Sequence, residues 1–424
     1  MNTAATVKLW DNILGYLIWD EKQNLGYFEY DSSFLKLGID VAPITMPLNH
    51  SINKTSPYVF SHLDKKTFNG LPGLLSDSLP DMFGNKVIEK WHKYSSVKLK
   101  SLNPVDRLCF MGKRAMGALE FEPIIKVNFK NTENIQIDEL AIIANQIFKD
   151  EELNIFNSKE DDVLHHIFQV GASAGGKRPK AIIGWNKQTG EVCSGQISIP
   201  AGFEHCLLKL DVDSKYPHGR VEYAYALMAK EFGINMSEVN LIDNGDKAYF
   251  ITKRFDRIEN RKLHLQTLCG LAHYGYTNSG YYSYDDVFTV FRRLELPYLD
   301  FEQLFKIMCF NVYAKNYDDH TKNLSFIMNN NGKWQFAPAY DLTFTHLPSE
   351  PAWFHKHEIN INGKTNNITK EDLIIIGKNN NIKNITQIIE QCEYIISQWS
   401  GFAQIAGISN NIKIMINNIL ANKK

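Results

Sequence analysis

Polar and apolar positions alternate from residue 6 to residue 31, with turn residues at Asp11-Asn12 and from Glu21 to Asn24. That period of two predicts a small antiparallel sheet near the N-terminus. Between Phe68 and Trp91 the spacing lengthens to that of a helix, with Ser78 or Asp81 as its cap and Trp91 near its end. The run RLCFMGKRAMGALEFEP reads as a short helix, a glycine-rich turn and a strand. The asparagine-rich residues 130–136 mark a boundary, and two helical segments follow as far as His166. A second strand-rich region begins at Val170, with short runs at Ala181–Trp185, Cys193–Ile199, Cys206–Leu210 and Ala248–Arg254. One helix, Val221–Phe232, interrupts them. After Asp256 the period is mainly helical to Leu420, and the Asn-, Ile- and Lys-rich tail keeps amphipathic spacing, so helices rather than disorder are expected there. The pattern predicts an α+β chain in three parts: a β-rich domain over 1–128, a smaller sheet-plus-helix lobe over 129–256 and a larger helical lobe over 257–424.

Composition adds mainly exclusions. The 424 residues are 44% apolar and 22% charged, as in ordinary globular proteins, and a net charge of −1 gives no argument for direct nucleic-acid binding. The six cysteines are scattered without a C-x-x-C, which indicates neither a zinc site nor a disulfide framework and fits a reducing cytoplasm. The N-terminus lacks the pattern of a signal peptide, and no apolar stretch is long enough to span a bilayer, so a cytoplasmic location without membrane association is expected.

The chemistry concentrates between Asn311 and Thr343, where Asp318, Asp319, Asn323 and Asp341 fall at restricted spacing. Phosphoryl transfer needs a carboxylate near the acceptor hydroxyl, and an amide plus a second carboxylate to hold Mg²⁺ on the phosphates of ATP. Asp318 lies five before Asn323 and takes the first role, with Asn323 and Asp341 as hard oxygen ligands. Asp319 reads as a solvated neighbour. His320 is placed to touch phosphate or lock the loop, and Lys322 to neutralise the transferring group. The plain alternative, an acidic Asn-rich turn, explains Asp318 and Asn323 but not a carboxylate in the apolar frame FAPAYDLTF. Upstream, Lys209 projects from the face of its strand opposite Cys206, Leu208 and Leu210, and Glu222 opens the next helix. The pair suits an ATP-phosphate lysine and its positioning glutamate; the plain alternative is a solvated strand lysine.

The loop 170–180, VGASAGGKRPK, admits several readings. It matches G-x-x-x-x-G-K from Gly171 to Lys177, but Arg178 replaces the hydroxyl residue and Pro179 disfavours the helix a P-loop requires. Gly171, Ser173 and Gly175 match the nucleophile elbow of serine hydrolases, with Asp341 and His346 in chain order, against the same objection. The remaining readings are a phosphate-facing glycine loop with Gly176, Lys177, Arg178 and Lys180, or a plain basic turn. His165-His166 and His218 show no metal spacing, and the tyrosine-rich stretch 274–286 reads as an amphipathic surface segment, with a binding loop as the alternative.

Taken together, FNGLPGLLSDSLPD, RLCFMGKRAMGALEFEP, VGASAGGKRPK, HCLLKL, VEYAYALMAKEFGI, FITKRFDR, KLHLQTLCGL, NYDDHTKNLSF and FAPAYDLTF resemble the HipA-type serine/threonine kinases, toxins of bacterial type II toxin–antitoxin pairs. The stretches follow the family order over roughly residues 6–345. The resemblance implies Asp318 as catalytic aspartate, Asn323 and Asp341 as metal ligands, and Lys209 on ATP phosphate with Glu222. It implies nucleotide contacts by His320 and Gln266, with Lys253 and Phe255 in the interlobe hinge. It makes Ser173 an autophosphorylation site whose phosphate ejects the glycine loop and blocks ATP binding. A helix-turn-helix antitoxin of HipB type is the implied partner, DNA is contacted only through it, and the implied substrate is a translation component such as an aminoacyl-tRNA synthetase. Departures are Lys253 where glutamate is common, Val221 where asparagine is usual, and the Gly-Gly-Lys-Arg-Pro-Lys loop. The rival readings are a catalytically weak regulator acting with the antitoxin, a serine hydrolase, and a kinase of lipids or small molecules, since D-x-H-x-x-N occurs there too.

Overall fold

The computed structural model describes residues 2–52, 54, 56–94, 102–124, 135–150, 178–211, 216–244, 247–347 and 355–421. Its class is α+β, as the periodicity predicts. Two compact units form: Met1–Val212 with Ile251–Gln266 and Ile327–Lys333, and Asp213–Phe250 with Thr267–Phe326 and Trp334–Lys424. The strands are β1 (Ala4–Leu9), β2 (Asn12–Asp20), β3 (Leu25–Tyr30), β4 (Leu119–Glu122), β5 (Lys180–Trp185), β6 (Val192–Ser194), β7 (Glu204–Lys209), β8 (Val239–Asn244), β9 (Lys247–Lys253), β10 (Arg257–Ile258), β11 (Arg261–Lys262), β12 (His264–Thr267), β13 (Ser325–Met328) and β14 (Trp334–Phe336).

In the first unit the N-terminal alternation becomes an antiparallel sheet in the order β3-β2-β1-β4. Val7, Leu9, Leu14, Leu17, Phe28 and Phe121 are fully buried on its inner side. Of the two predicted caps, Asp81 is the one used: its carboxylate accepts the Gly84 N–H at 2.5 Å at the start of the helix Met82–Tyr94. The expected short helix is Pro104–Met111, opened by a reciprocal Asn103–Asp106 capping box. Ile137–Lys149 is the first of the two expected helices; the second, with His165-His166, lies outside the described residues.

β5 runs antiparallel between β6 and β7. A strand covered on both faces needs apolar residues throughout, and Ala181, Ile182 and Ile183 are all buried. The run expected over Cys193–Ile199 pairs only as Val192–Ser194. At Gly195 the backbone lies so close to Ile183 that a Cβ would stand 2.2 Å from its carbonyl carbon, and the ladder ends there. β7 confirms the predicted alternation: Cys206 and Leu208 point into the core and Lys209 stands half-buried on the other side. Lys180 faces Lys209 across the ladder. Like charges directly opposite are unfavourable, and Asp81 offsets them by taking the Lys180 ammonium at 3.1 Å.

A buried cation–carboxylate cluster closes this unit. Asp256 accepts from Arg254 Nε (2.9 Å), from Arg254 and Arg257 guanidinium nitrogens (2.7 Å each) and from the Gly117 N–H (2.7 Å). Arg257 also donates to the carbonyls of Gly117 and Ala115. Gly117 sits at φ +74°, and a Cβ there would lie 2.9 Å from the Leu265 nitrogen, so both conformation and space call for glycine.

In the second unit the helix predicted over Val221–Phe232 begins three residues earlier, His218–Glu231, with Pro217 before it. Tyr225 on that helix packs edge-on against Phe310 and Trp399 and donates its hydroxyl to the Ala314 carbonyl at 2.7 Å. This fixes the exit of the long helix Tyr298–Tyr313, from which the Asp/Asn-rich segment emerges. The tail forms the helices Lys370–Asn379, Ile385–Ser397, Trp399–Ile405 and Asn410–Ala421, as its spacing predicts. All six cysteines are buried and free. Among the described residues no helix is long and apolar enough to cross a membrane.

Candidate active site

Asn323 and Asp341 come together at one cleft of the second unit, and Asp318 sits on the adjoining loop, joined to Asn323 through its backbone carbonyl. Asn323 and Asp341 line it, with Tyr284, Asn311, Asn316, Asp319, His320 and the run 336–342. Asn316 begins the loop: its N–H and its amide group bond back to Asn311 at 2.9 Å each. Asp318 follows, and its carboxylate is 62% exposed with His320 Nε2 3.7 Å away. Asn323 closes the turn Thr321–Asn323, its side-chain N–H donating to the Asp318 carbonyl at 2.6 Å. That commits the Asn323 nitrogen and leaves its oxygen for a cation.

The wall carrying Asp341 is held independently. The Ala337 N–H bonds to the Ser325 carbonyl and the Ala339 N–H to the Asn235 carbonyl, at 2.9 and 2.8 Å. The Tyr340 hydroxyl donates to the Lys322 carbonyl and pairs with the Ser325 hydroxyl, both at 2.6 Å. Tyr340 thereby ties the turn bearing Asn323 to the segment bearing Asp341, a role the spacing of acidic residues did not disclose. Tyr340→Phe is expected to lower stability by about 1–2 kcal/mol in equilibrium denaturation, since it strips a partner from Lys322 and Ser325. Asp341 itself is half-buried at φ +55°.

Around the mouth, Lys322 Nζ lies 4.8 Å from the centre of the Tyr276 ring, and the His320 ring is 5.7 Å from the same tyrosine. The tyrosine-rich stretch is therefore more than a surface segment. Tyr281 is 74% exposed, but Tyr284 is fully buried beneath the loop, and Tyr274 stacks on Tyr282 at 4.2 Å. The largest correction concerns Asp319. It is not a solvated neighbour: its carboxylate is 1% exposed and bound by His357 Nδ1 at 3.0 Å and by the Glu358 N–H at 2.8 Å. Those partners lie 38 and 39 residues downstream, beyond any local pattern.

The other predicted site residues are placed as follows. Glu222 is buried in its helix, and Lys209 is half-buried on β7. Lys253, at the end of β9, pairs with Glu204 on β7, so the ammonium that replaces the common glutamate has its own carboxylate. Phe255 is half-buried. Gln266 is fully buried, and neither its amide oxygen nor its nitrogen has a partner among the described residues. Lys180 is buried, with its ammonium 3.1 Å from the Asp81 carboxylate. Gly171, Ser173, Gly175, Gly176 and Lys177 lie outside the described residues. His346, the hydrolase candidate, stacks on His355 at 3.7 Å, and burial pushes it down to about 4.

The donors facing the cleft suit magnesium. An amide oxygen and a carboxylate are hard ligands, and Mg²⁺ is commonly held by one or two protein groups together with phosphate oxygens. Among the described residues no group of three or more His, Cys, Asp or Glu is arranged to hold a metal alone.

Family models match both parts of the chain: the HipA N-terminal domain over residues 5–122 and the HipA-like C-terminal domain over residues 172–399. The chain belongs to the HipA family. It is also similar to the HipA of Shewanella oneidensis MR-1, solved with HipB and operator DNA. That match has a TM-score of 0.69 at 16% identity and covers 99% of this chain and 96% of that one. The Helicobacter pylori proinflammatory kinase CtkA aligns with a TM-score of 0.40 at 13% identity, covering 59% of this chain and 89% of that one. No curated protein sequence gives a significant match.

Proposed function

We propose that this HipA-family chain is an ATP- and Mg²⁺-dependent protein kinase acting on serine or threonine. The observation that carries the reading is the meeting of Asn323 and Asp341 at one cleft, beside a loop whose Asp318 bonds to Asn323 through its carbonyl and turns its carboxylate to solvent. In the proposed reaction the acceptor hydroxyl gives its proton to Asp318 as its oxygen bonds to the γ-phosphorus, and the bond to the bridging oxygen breaks to release ADP. Asn323 and Asp341 would hold Mg²⁺, which supplies neutralisation of phosphate charge. Exposure of Asp318 suits an acceptor on another protein. The buried, unpartnered amide of Gln266 fits a nucleotide contact, as the family resemblance implies.

The same resemblance supports self-inactivation by phosphorylation of Ser173 and a substrate in the translation machinery, such as an aminoacyl-tRNA synthetase. The Shewanella relative was solved with HipB and operator DNA; by likeness we assign this chain a helix-turn-helix antitoxin partner, with DNA reached through it. That likeness also favours a second reading, a catalytically weak regulator that serves antitoxin-dependent repression.

Incubation with Mg-ATP separates the two. The kinase reading expects one added phosphate on Ser173, found by mass spectrometry and absent in Asp341→Ala. Nucleotide binding without any transfer to Ser173 or to cellular protein would leave the regulator. Lys209→Ala is expected to raise KM for ATP about tenfold in steady-state kinetics, the loss of one charge-assisted phosphate contact.

A further inference from the structure

Asp319 stands between the proposed catalytic aspartate and His320, yet it faces the opposite way. His320, which closes the stretch, has extended backbone at φ −75° and ψ 167°, and on extended backbone neighbouring side chains point in opposite directions. The side chains of Asp318, Asp319 and His320 are 62%, 1% and 23% exposed. Whatever draws Asp319 inward therefore leaves its two neighbours outward, Asp318 most exposed to solvent.

What draws it inward is a hairpin over residues 357–365. Asp319 Oδ1 accepts the Glu358 N–H at 2.8 Å, and Oδ2 accepts His357 Nδ1 at 3.0 Å and the Tyr284 hydroxyl at 3.4 Å. The hairpin is held elsewhere too. The His357 N–H bonds to the Thr365 carbonyl at 2.7 Å, and Ile361 exchanges bonds with Lys364. The Lys364 ammonium and the Asn362 amide both bond to Asp372, at the head of the helix Lys370–Asn379. On its other edge the Gly280 N–H bonds to the Glu358 carbonyl, and the Tyr284 N–H to the Asn360 carbonyl. The hairpin is thus a strap fastened to the tyrosine-rich stretch and to a helix, and Asp319 is its attachment to the catalytic loop. Burial, with Asp319 and Asp318 nearby, pushes the Glu358 carboxyl up, in keeping with a crowded acidic edge here.

We propose that Asp319 and His357 are positioning residues whose buried bond, with the Glu358 amide, fixes the direction of Asp318 and His320. The inference rests on the kinase reading for its rate effects and on geometry alone for the tether. Displacing a catalytic group by about 1 Å costs about 10²-fold in rate. Asp319→Asn replaces the acceptor facing His357 by an amide, and His357→Phe removes the donor; each is expected to lower kcat about 10²-fold with KM for ATP within about twofold. His357→Asn places an amide N–H near the position of Nδ1 and is expected to recover most of that loss.

Hydrogen exchange by mass spectrometry over 316–324 is the arm independent of activity. Exchange accelerates in Asp319→Asn and His357→Phe and stays near wild type in His357→Asn. If wild type transfers no phosphate but the exchange pattern holds, the kinase reading fails and the tether stands. The tether is overturned if exchange over 316–324 is unchanged in all three variants. A merely structural role is indicated, and the proposal equally overturned, if His357→Asn loses as much activity and protection as His357→Phe.

Discussion

Asp318→Asn will lower phosphate transfer from ATP, to Ser173 or to an external protein, by about 10²- to 10⁴-fold, the usual worth of a positioned general base. It will leave the fold intact. The carboxylate is 62% exposed, with His320 Nε2 3.7 Å away, while the loop is held by the Asp318 carbonyl and by Asp319. Substitution of an exposed side chain outside such contacts usually changes stability by no more than about 0.5 kcal/mol. Transfer of radiolabelled phosphate, with equilibrium denaturation of the same samples, checks both halves. Equal transfer by variant and wild type would remove Asp318 from the reaction, and a large loss of stability would make its role architectural.

The largest effect on stability is expected at Asp256. Its carboxylate is fully buried and shared by Arg254 and Arg257, whose side chains are 1% and 2% exposed. Removing one partner of a buried ionic group leaves charge in a poorly solvating interior, at a cost of about 3–5 kcal/mol. Asp256→Ala leaves two guanidiniums without their shared carboxylate, Arg257 keeping its bonds to the carbonyls of Gly117, Ala115 and residue 256. Denaturant titration should show that loss. Burial opposes ionisation of Asp256, but the two arginines and the Gly117 N–H outweigh it and hold the carboxyl well below the usual carboxylate range. A depressed value in the folded state means the contribution is complete above the unfolded value, about 3.9, and declines as pH falls below it toward the folded value. Wild type should therefore lose this increment only in strong acid, and the difference from Asp256→Ala should shrink there.

The strands were legible where one face of a sheet is buried. Val7, Leu9, Leu17 and Phe28 announce their sheet by alternation, and Cys206 and Leu208 set the side on which Lys209 must stand. β8 escaped because VNLIDN is only partly buried and carries no clean alternation. Part of the cleft was legible, since Asn323 lies on the Asp- and Asn-rich turn and Asp341 stands out in an apolar frame, and both line it. Its supports were not. Asp318 and Asp319 are chemically identical neighbours, and what separates them is a histidine and a backbone N–H that the chain returns to this place 38 and 39 residues later. Tyr340 was in view beside Asp341, but nothing local tells a hydroxyl that ties two loops from one that meets water.

Asp341 occupies the left-handed region of backbone space, which aspartate and asparagine tolerate far better than alanine, valine or leucine. Replacement by alanine therefore removes a carboxylate and strains the chain at once, whereas asparagine removes the charge alone. Aspartate and asparagine codons differ by a single base. On the proposed kinase reading, then, one nucleotide change at this codon would silence phosphate transfer and leave the scaffold in place, turning an enzyme into a binding partner in a single step.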